Sequence, residues 1–222
     1  MKRKPEPELM DSEAQTVAYA EADFNEANSL FTERFVSNFP ELPTHGNMAD
    51  LGCGPGDIAV RMAHALPGWQ ITGLDAGENM LRRAQERLAN EKLASRVRFR
   101  LCYLPDDSLE DDSWDALISN SLLHHLPDPQ ALWGSIARLG APGAAVQVMD
   151  LSRPETEQEA QRLVDVYADG APDILREDFY NSLLAAYTCD EVAMQLQRAG
   201  IDRLKIEHAS DRHWIVSGRL AG

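Results

Sequence analysis

Asp50-Leu51-Gly52-Cys53-Gly54-Pro55-Gly56-Asp57 is the stretch on which the fold turns. An apolar run of strand type, residues 47–51, leads into it, and residues 58–66 carry the apolar spacing of a helix. Glycines at alternate positions let main chain approach a ligand closely and turn tightly into a helix, whose first N–H groups then face that ligand. An ordinary turn needs one glycine or two. Three at a spacing of two, behind an acid at a strand end, point to a binding loop. The pattern is not the dinucleotide G-x-G-x-x-G, because Asp57 stands where the third glycine belongs, and no Gly-Lys-Ser/Thr follows to make a phosphate loop.

Strands and helices alternate outward from this loop. Residues 69–74 read as a strand closed by Asp75. Residues 79–90 follow as a helix with Met80, Leu81, Ala84 and Leu88 on one face. Residues 97–101, 114–119 and 144–149 are strands three to five, with a helix over 129–139. In the third strand Arg96, Arg98 and Arg100 alternate with Val97, Phe99 and Leu101, which suits a sheet edge. Residues 82–100 hold seven basic and two acidic residues, read as a solvated face that the six acids between Asp106 and Asp115 can balance. Repeated βα units with short loops predict an α/β domain: a doubly wound, mostly parallel sheet with helices on both faces.

The ends depart from that alternation. Residues 1–8 read as a flexible, solvated leader, and residues 9–45 as an N-terminal helical lid ended by Pro40 and Pro43. Residues 46–152 form the core. Residues 153–187 are helical and polar, broken at Gly170-Ala171-Pro172, and form an insert after strand five. In residues 188–222, Thr188-Cys189-Asp190-Glu191 is a capping box opening a helix that Gly200 ends, and residues 204–209 and 214–218 close the chain as an antiparallel hairpin. The expectation is one domain with seven strands.

Composition narrows the function. The 222 residues carry 21 basic and 36 acidic side chains, a net charge of −15, which repels phosphate backbones and anionic membranes. Neither nucleic acid nor membrane is an expected partner. Cys53, Cys102 and Cys189 form no CxxC pair, no apolar leader precedes them, and a cytoplasmic protein with reduced thiols is expected. His124 and His125 are adjacent, unlike the i, i+4 pair of zinc sites, and no spaced carboxylate set suggests magnesium; no metal is expected.

A second motif, Gly73-Leu74-Asp75-Ala76-Gly77-Glu78-Asn79-Met80, puts a carboxylate at the next strand end, nineteen residues after Gly56. A carboxylate there can accept both hydroxyls of a ribose. With the glycine loop and the fourth-strand segment WDALISNSLLHHLPDP (residues 114–129), the chain resembles the class I S-adenosylmethionine-dependent methyltransferases of the small-molecule (type 11/25-like) branch, over roughly residues 47–149. The resemblance implies S-adenosyl-L-methionine as cofactor. It places Asp50, Gly52, Cys53, Gly54 and Gly56 along its methionine end and Asp75 and Ala76 at its ribose. Met80 falls against adenine and Asn120 beside the amino-acid moiety. Where the family often has an acid after the third strand, this chain has Cys102-Tyr103-Leu104, and a thiol is a poor acceptor, so adenine falls to main chain with Tyr103 and Leu104, or to Asp106.

Methyl transfer asks for orientation and desolvation, worth roughly 7–11 kcal/mol in well-aligned cases, and for a base only if the acceptor arrives protonated. Proton-handling candidates follow strands four and five: His124 and His125, with His124 preferred and also a substrate contact, though a packing histidine fits there as well, and Asp150, which also simply ends a strand. Arg153 is a substrate candidate or a partner for Glu155 or Glu157. Tyr19, Asp23 and Phe24 from the lid, with Tyr180 and Asn181 from the insert, are acceptor-pocket candidates or ordinary helix packing. The leading expectation is direct in-line transfer to a small-molecule acceptor. A protein acceptor and a non-catalytic cofactor-binding module are the alternatives.

Overall fold

The computed structural model describes residues 1–5, 13, 16, 17, 22 and 24–222. A seven-stranded sheet forms its centre: β1 (Gly46–Leu51), β2 (Trp69–Asp75), β3 (Val97–Leu101), β4 (Trp114–Asn120), β5 (Gly140–Leu151), β6 (Lys205–His208) and β7 (His213–Arg219), in the order β3-β2-β1-β4-β5-β7-β6. The first five strands run parallel to one another, whereas β7 runs antiparallel between β5 and β6. The arginine-bearing β3 is an edge strand, as its alternation predicts. Strand order reverses between β1 and β4, and in such sheets the crevice beyond the strand ends at that point receives the ligand.

Side chains alternate between two apolar layers, one on each face. Ala49, Leu117, Val146 and Trp214 pack on one side with Leu132 and Trp133 of α4 (Gln130–Leu139) and Val192 and Leu196 of α7 (Cys189–Arg198). Met48, Ile118, Ala145 and Ile215 pack on the other with Phe31 and Phe35 of α1 (Asn25–Asn38) and Ile58 and Met62 of α2 (Asp57–Ala65). Helix α3 (Glu78–Ala89) follows β2, its buried face formed by Met80, Leu81 and Ala84. Phe31, Phe35 and Phe39 recur every fourth residue, which lays α1 lengthwise on the sheet before Pro40 stops it.

The insert is the helix pair α5 (Glu157–Tyr167) and α6 (Asp173–Ala185), with a small core of its own around Leu163, Val164, Leu183 and Leu184. Helix α7 opens with the expected capping box, in which Thr188 and Glu191 bond reciprocally. Glu191 also pairs with Arg153 at 2.7 Å, in place of the Glu155 or Glu157 partnership read from sequence. Among the described residues no helix is long and apolar enough to cross a membrane.

The solvated leader expected over residues 1–8 is corrected for residues 1–5. Arg3 Nε donates to Ala185 O at 2.5 Å and Lys4 N to Leu184 O at 3.0 Å. These are carbonyls at the C-terminal end of α6, which have no partner within the helix, and Met1 packs against the apolar core of the insert.

Candidate active site

A cavity of about 350 Å³ opens where β1, β2 and β4 end. Its floor is the glycine loop, folded onto the neighbouring strand: Gly52 N and Cys53 N both donate to Leu74 O, at 2.7 and 3.0 Å. Gly52 has φ +71°, and a Cβ there would lie 2.7 Å from the Leu122 side chain, so only glycine fits between β1 and the segment after β4. The Asp75 carboxylate ties loop to strand, accepting from Gly54 N and Gly77 N at 2.8 Å each. A carboxylate has about four acceptor sites, and these two bonds hold it at the cavity edge.

Asp50 is buried below the loop, and its Oδ2 has no hydrogen-bond partner. Burial, and then the nearby Asp75 charge, push its carboxyl up to about 8, against a smaller opposing effect from the Ala59 N–H. Asn120 Oδ1 is likewise buried and unpartnered, while its Nδ2 donates to Asn28 Oδ1 at 3.3 Å. Asn28 Nδ2 in turn donates to Asp57 Oδ2 at 2.8 Å, so α1 is stitched to the start of α2. Cys53 is no nucleophile, because burial pushes its thiol well up.

Of the residues implied as cofactor contacts, Asp50, Gly52, Cys53, Gly54, Asp75, Ala76, Met80, Tyr103, Leu104 and Asn120 all line this cavity. Gly56 does not. It turns into α2 at φ +80°, and a Cβ there would meet the Phe99 ring at 2.6 Å, so its requirement for glycine comes from packing. Asp106 also stays outside: Ser108 N donates to its Oδ1, and Arg100 and Cys102 Sγ approach its Oδ2 at 3.4 and 3.5 Å. Burial and that contact push the Cys102 thiol up to about 11.

The acceptor candidates divide differently. Phe24 lines the cavity, joined by Ala22, Asn28, Ser121, Leu122, His125 and Leu126. Tyr19 and Asp23 lie outside the described residues. His124 is corrected from a wall residue to a buried one, 4% exposed, with its Nδ1 donating to Asp150 Oδ1 at 2.5 Å. In the short 3₁₀ turn Leu123–His125, consecutive side chains diverge, so one histidine points back to β5 and the next into the cavity wall. Their rings still lie 4.0 Å apart, centre to centre. Burial alone would push the Asp150 carboxyl up. The charge and hydrogen bond of His124, with the Leu151 N–H, hold it below its ordinary value instead. Arg153, Tyr180 and Asn181 are likewise outside the wall: Arg153 spans Ala186 O and Glu191, and Tyr180 packs against the insert core.

Of the two adjacent histidines it is His125, and not the preferred His124, that lines the cavity, and Asn28 lines it without having been singled out in the sequence. The doubled histidine carried a signal that one ring faces the cavity without saying which. Asn28 carried only its place on a lid helix.

A family model described as a methyltransferase domain matches residues 44–203. The chain belongs to that family. The methyltransferase is 27% identical over 193 residues to the 27-O-demethylrifamycin SV methyltransferase of Amycolatopsis mediterranei, covering 85% of this chain and 65% of that one. It is 32% identical over 145 residues to the trans-aconitate 2-methyltransferase of Variovorax paradoxus, covering 64% and 53%. It thus spans about half to two-thirds of the length of these curated relatives. Its fold is shared with a SAM-dependent methyltransferase from Aquifex aeolicus, TM-score 0.68 at 16% identity over 93% and 98% of the two chains. The fold also matches phosphoethanolamine N-methyltransferase 2 of Haemonchus contortus, solved in complex with S-adenosyl-L-methionine, TM-score 0.70 at 18% identity over 95% and 57%. By family the chain is a methyltransferase domain, and its fold is that of solved S-adenosyl-L-methionine-dependent methyltransferases.

The cavity fits that cofactor on its own terms. A buried carboxyl oxygen without a partner, Asp50 Oδ2, suits a cationic group, an unpartnered amide oxygen suits a donor, and the open space at Gly54 leaves room for close approach.

Proposed function

We propose that this methyltransferase transfers a methyl group to a small-molecule acceptor by direct in-line displacement. The observation that carries the reading is Asp75, whose carboxylate accepts from Gly54 N and Gly77 N at the edge of a cavity beside Asp50, whose buried Oδ2 has no hydrogen-bond partner. When bound, the cofactor supplies an electrophilic sulfonium methyl. Everything else falls to the chain's residues. Asp75 and the glycine loop orient, Asp50 and Asn120 satisfy polar ends, and Met80 with Leu104 offers apolar surface.

On the opposite wall Phe24, Leu122 and Leu126 exclude water, while Asn28, Ser121 and His125 offer polar contacts to an acceptor. His125 is the group placed to take a proton from that acceptor. His124, fixed in one tautomer by the Asp150 carboxylate, backs it and keeps its ring in place.

The test is turnover. The purified chain is incubated with S-adenosyl-L-methionine and a panel of phenols, alcohols, amines, thiols and carboxylic acids, with S-adenosylhomocysteine formation read by mass spectrometry. Product with at least one small molecule, lost in Asp75→Ala, is expected. Turnover with proteins alone, or cofactor binding with no turnover across the panel, would contradict the reading.

A further inference from the structure

The N-terminal segment reaches further than the end of α6. Besides its bond to Ala185 O, Arg3 donates from Nη2 to His124 O at 2.9 Å, and its guanidinium lies 4.1 Å above the centre of the Tyr187 ring. Tyr187 is itself fixed, 8% exposed, with its carbonyl accepting from Trp214 Nε1 at 3.1 Å. A guanidinium presents its donors in a rigid planar fork, and stacking on an aromatic face sets the plane of that fork. One side chain therefore joins two carbonyls on separate elements, the insert helix and the turn after β4.

That turn packs between β5 and the insert helix α6. Its local bonds are His125 N to Leu122 O at 3.0 Å and Leu126 N to Leu123 O at 3.2 Å, and behind it Asp150 takes the His124 ring and the His124 N–H. The carbonyl of His124 is where Arg3 takes hold of the turn. Both residues that follow, His125 and Leu126, line the cavity, so a shift of the His124 peptide moves the wall directly.

We propose that Arg3 is a positioning residue: it clamps the Leu123–His125 turn to the insert and so sets the orientation of His125 in the acceptor wall. Its catalytic consequence rests on the proposed role of His125, but the clamp itself is measurable without an acceptor. Lys4, whose Nζ pairs with Glu157 Oε1 at 2.5 Å, belongs to the same segment and touches the insert alone, which makes it the control.

The experiment uses the full chain as wild type, Arg3→Ala, Arg3→Lys and Lys4→Ala, followed by amide hydrogen exchange and by imidazole ¹⁵N–¹H spectra. In Arg3→Ala the His125 and Leu126 amides are expected to exchange at least tenfold faster and the His124 and His125 ring signals to move. Arg3→Lys should recover part of the protection, and Lys4→Ala should match wild type at the turn. S-adenosylhomocysteine affinity should stay within twofold throughout. Faster exchange confined to residues 1–5 and 183–186, with turn amides and ring signals unchanged, would overturn the proposal and leave Arg3 as a cap on α6. Should Arg3→Ala not fold, Arg3→Lys decides alone, since it keeps the charge but loses the fork, and an unchanged His125 amide would overturn the proposal. A wild-type chain that fails to bind S-adenosylhomocysteine would contradict the proposed function while leaving the exchange result on Arg3 standing.

Discussion

The two walls of the cavity are built by opposite means. The wall proposed for the cofactor uses two short segments, residues 50–57 and 75–77, whose main-chain donors are fixed by strand neighbours and by one carboxylate. The wall proposed for the acceptor gathers Phe24 and Asn28 from ahead of the sheet and residues 121–126 from β4's exit, backed by Asp150 and Arg3. The first wall depends on backbone conformation and the second on side chains held from behind. Damage to each should therefore read out differently.

The largest separation is expected from His125→Ala. Loss of a positioned proton acceptor lowers turnover by roughly 10²–10⁴-fold, with cofactor affinity within a few-fold of wild type by calorimetry. Equal losses of turnover and affinity would mean the walls are not separable. The mirror experiment is Gly52→Ala. A left-handed residue gaining a Cβ costs about 1–2 kcal/mol before the clash with Leu122 is added, so S-adenosylhomocysteine should bind at least tenfold more weakly. Gly170→Ala, at φ +73° with open space around it, carries the same backbone strain far from the cavity and should leave binding unchanged.

Two buried groups sharpen the comparison through pH. Asp50, pushed up to about 8, binds a proton more tightly folded than unfolded. Its contribution to stability is present below about pH 4 and is lost as pH rises toward 8, by up to about 1.4 kcal/mol per pH unit. Relative to wild type, the melting temperature of Asp50→Asn should therefore be more favourable at pH 8 than at pH 5. His213, behind the acceptor wall, behaves in the opposite sense. Burial, and then Arg212, lower its imidazole to about 4, so its contribution is present above pH 6.5 and is lost as pH falls toward 4. His213→Gln should flatten the acid limb of the melting curve, a smaller effect seen by calorimetric scans between pH 4 and 7.

The same contrast explains what was legible in the sequence. Alternating glycines, strand-ending acids and period-two strands are local signals, so the sheet, its edge strand β3, the terminal hairpin and much of the cavity lining around the glycine loop follow from them. Gly56 was misplaced because a glycine required for packing on Phe99 looks, in sequence, like one required for a ligand. His124 and His125 were hard to tell apart because the direction of each ring depends on a 3₁₀ turn and on Asp150, which lies 26 residues from His124. Arg3 carried no signal: its role arises only because α6 ends with open carbonyls beside that turn.

The most direct test of the account is a calorimetric titration of S-adenosylhomocysteine into wild type and Asp75→Ala, side by side at neutral pH. Micromolar binding by the wild type is predicted, weakened by roughly a hundredfold or more in the variant. The variant loses a charged acceptor that makes two hydrogen bonds, each worth about 1.5–3 kcal/mol, to the glycine loop and the turn after β2. Equal affinity in the two proteins, or no binding by the wild type, would contradict it.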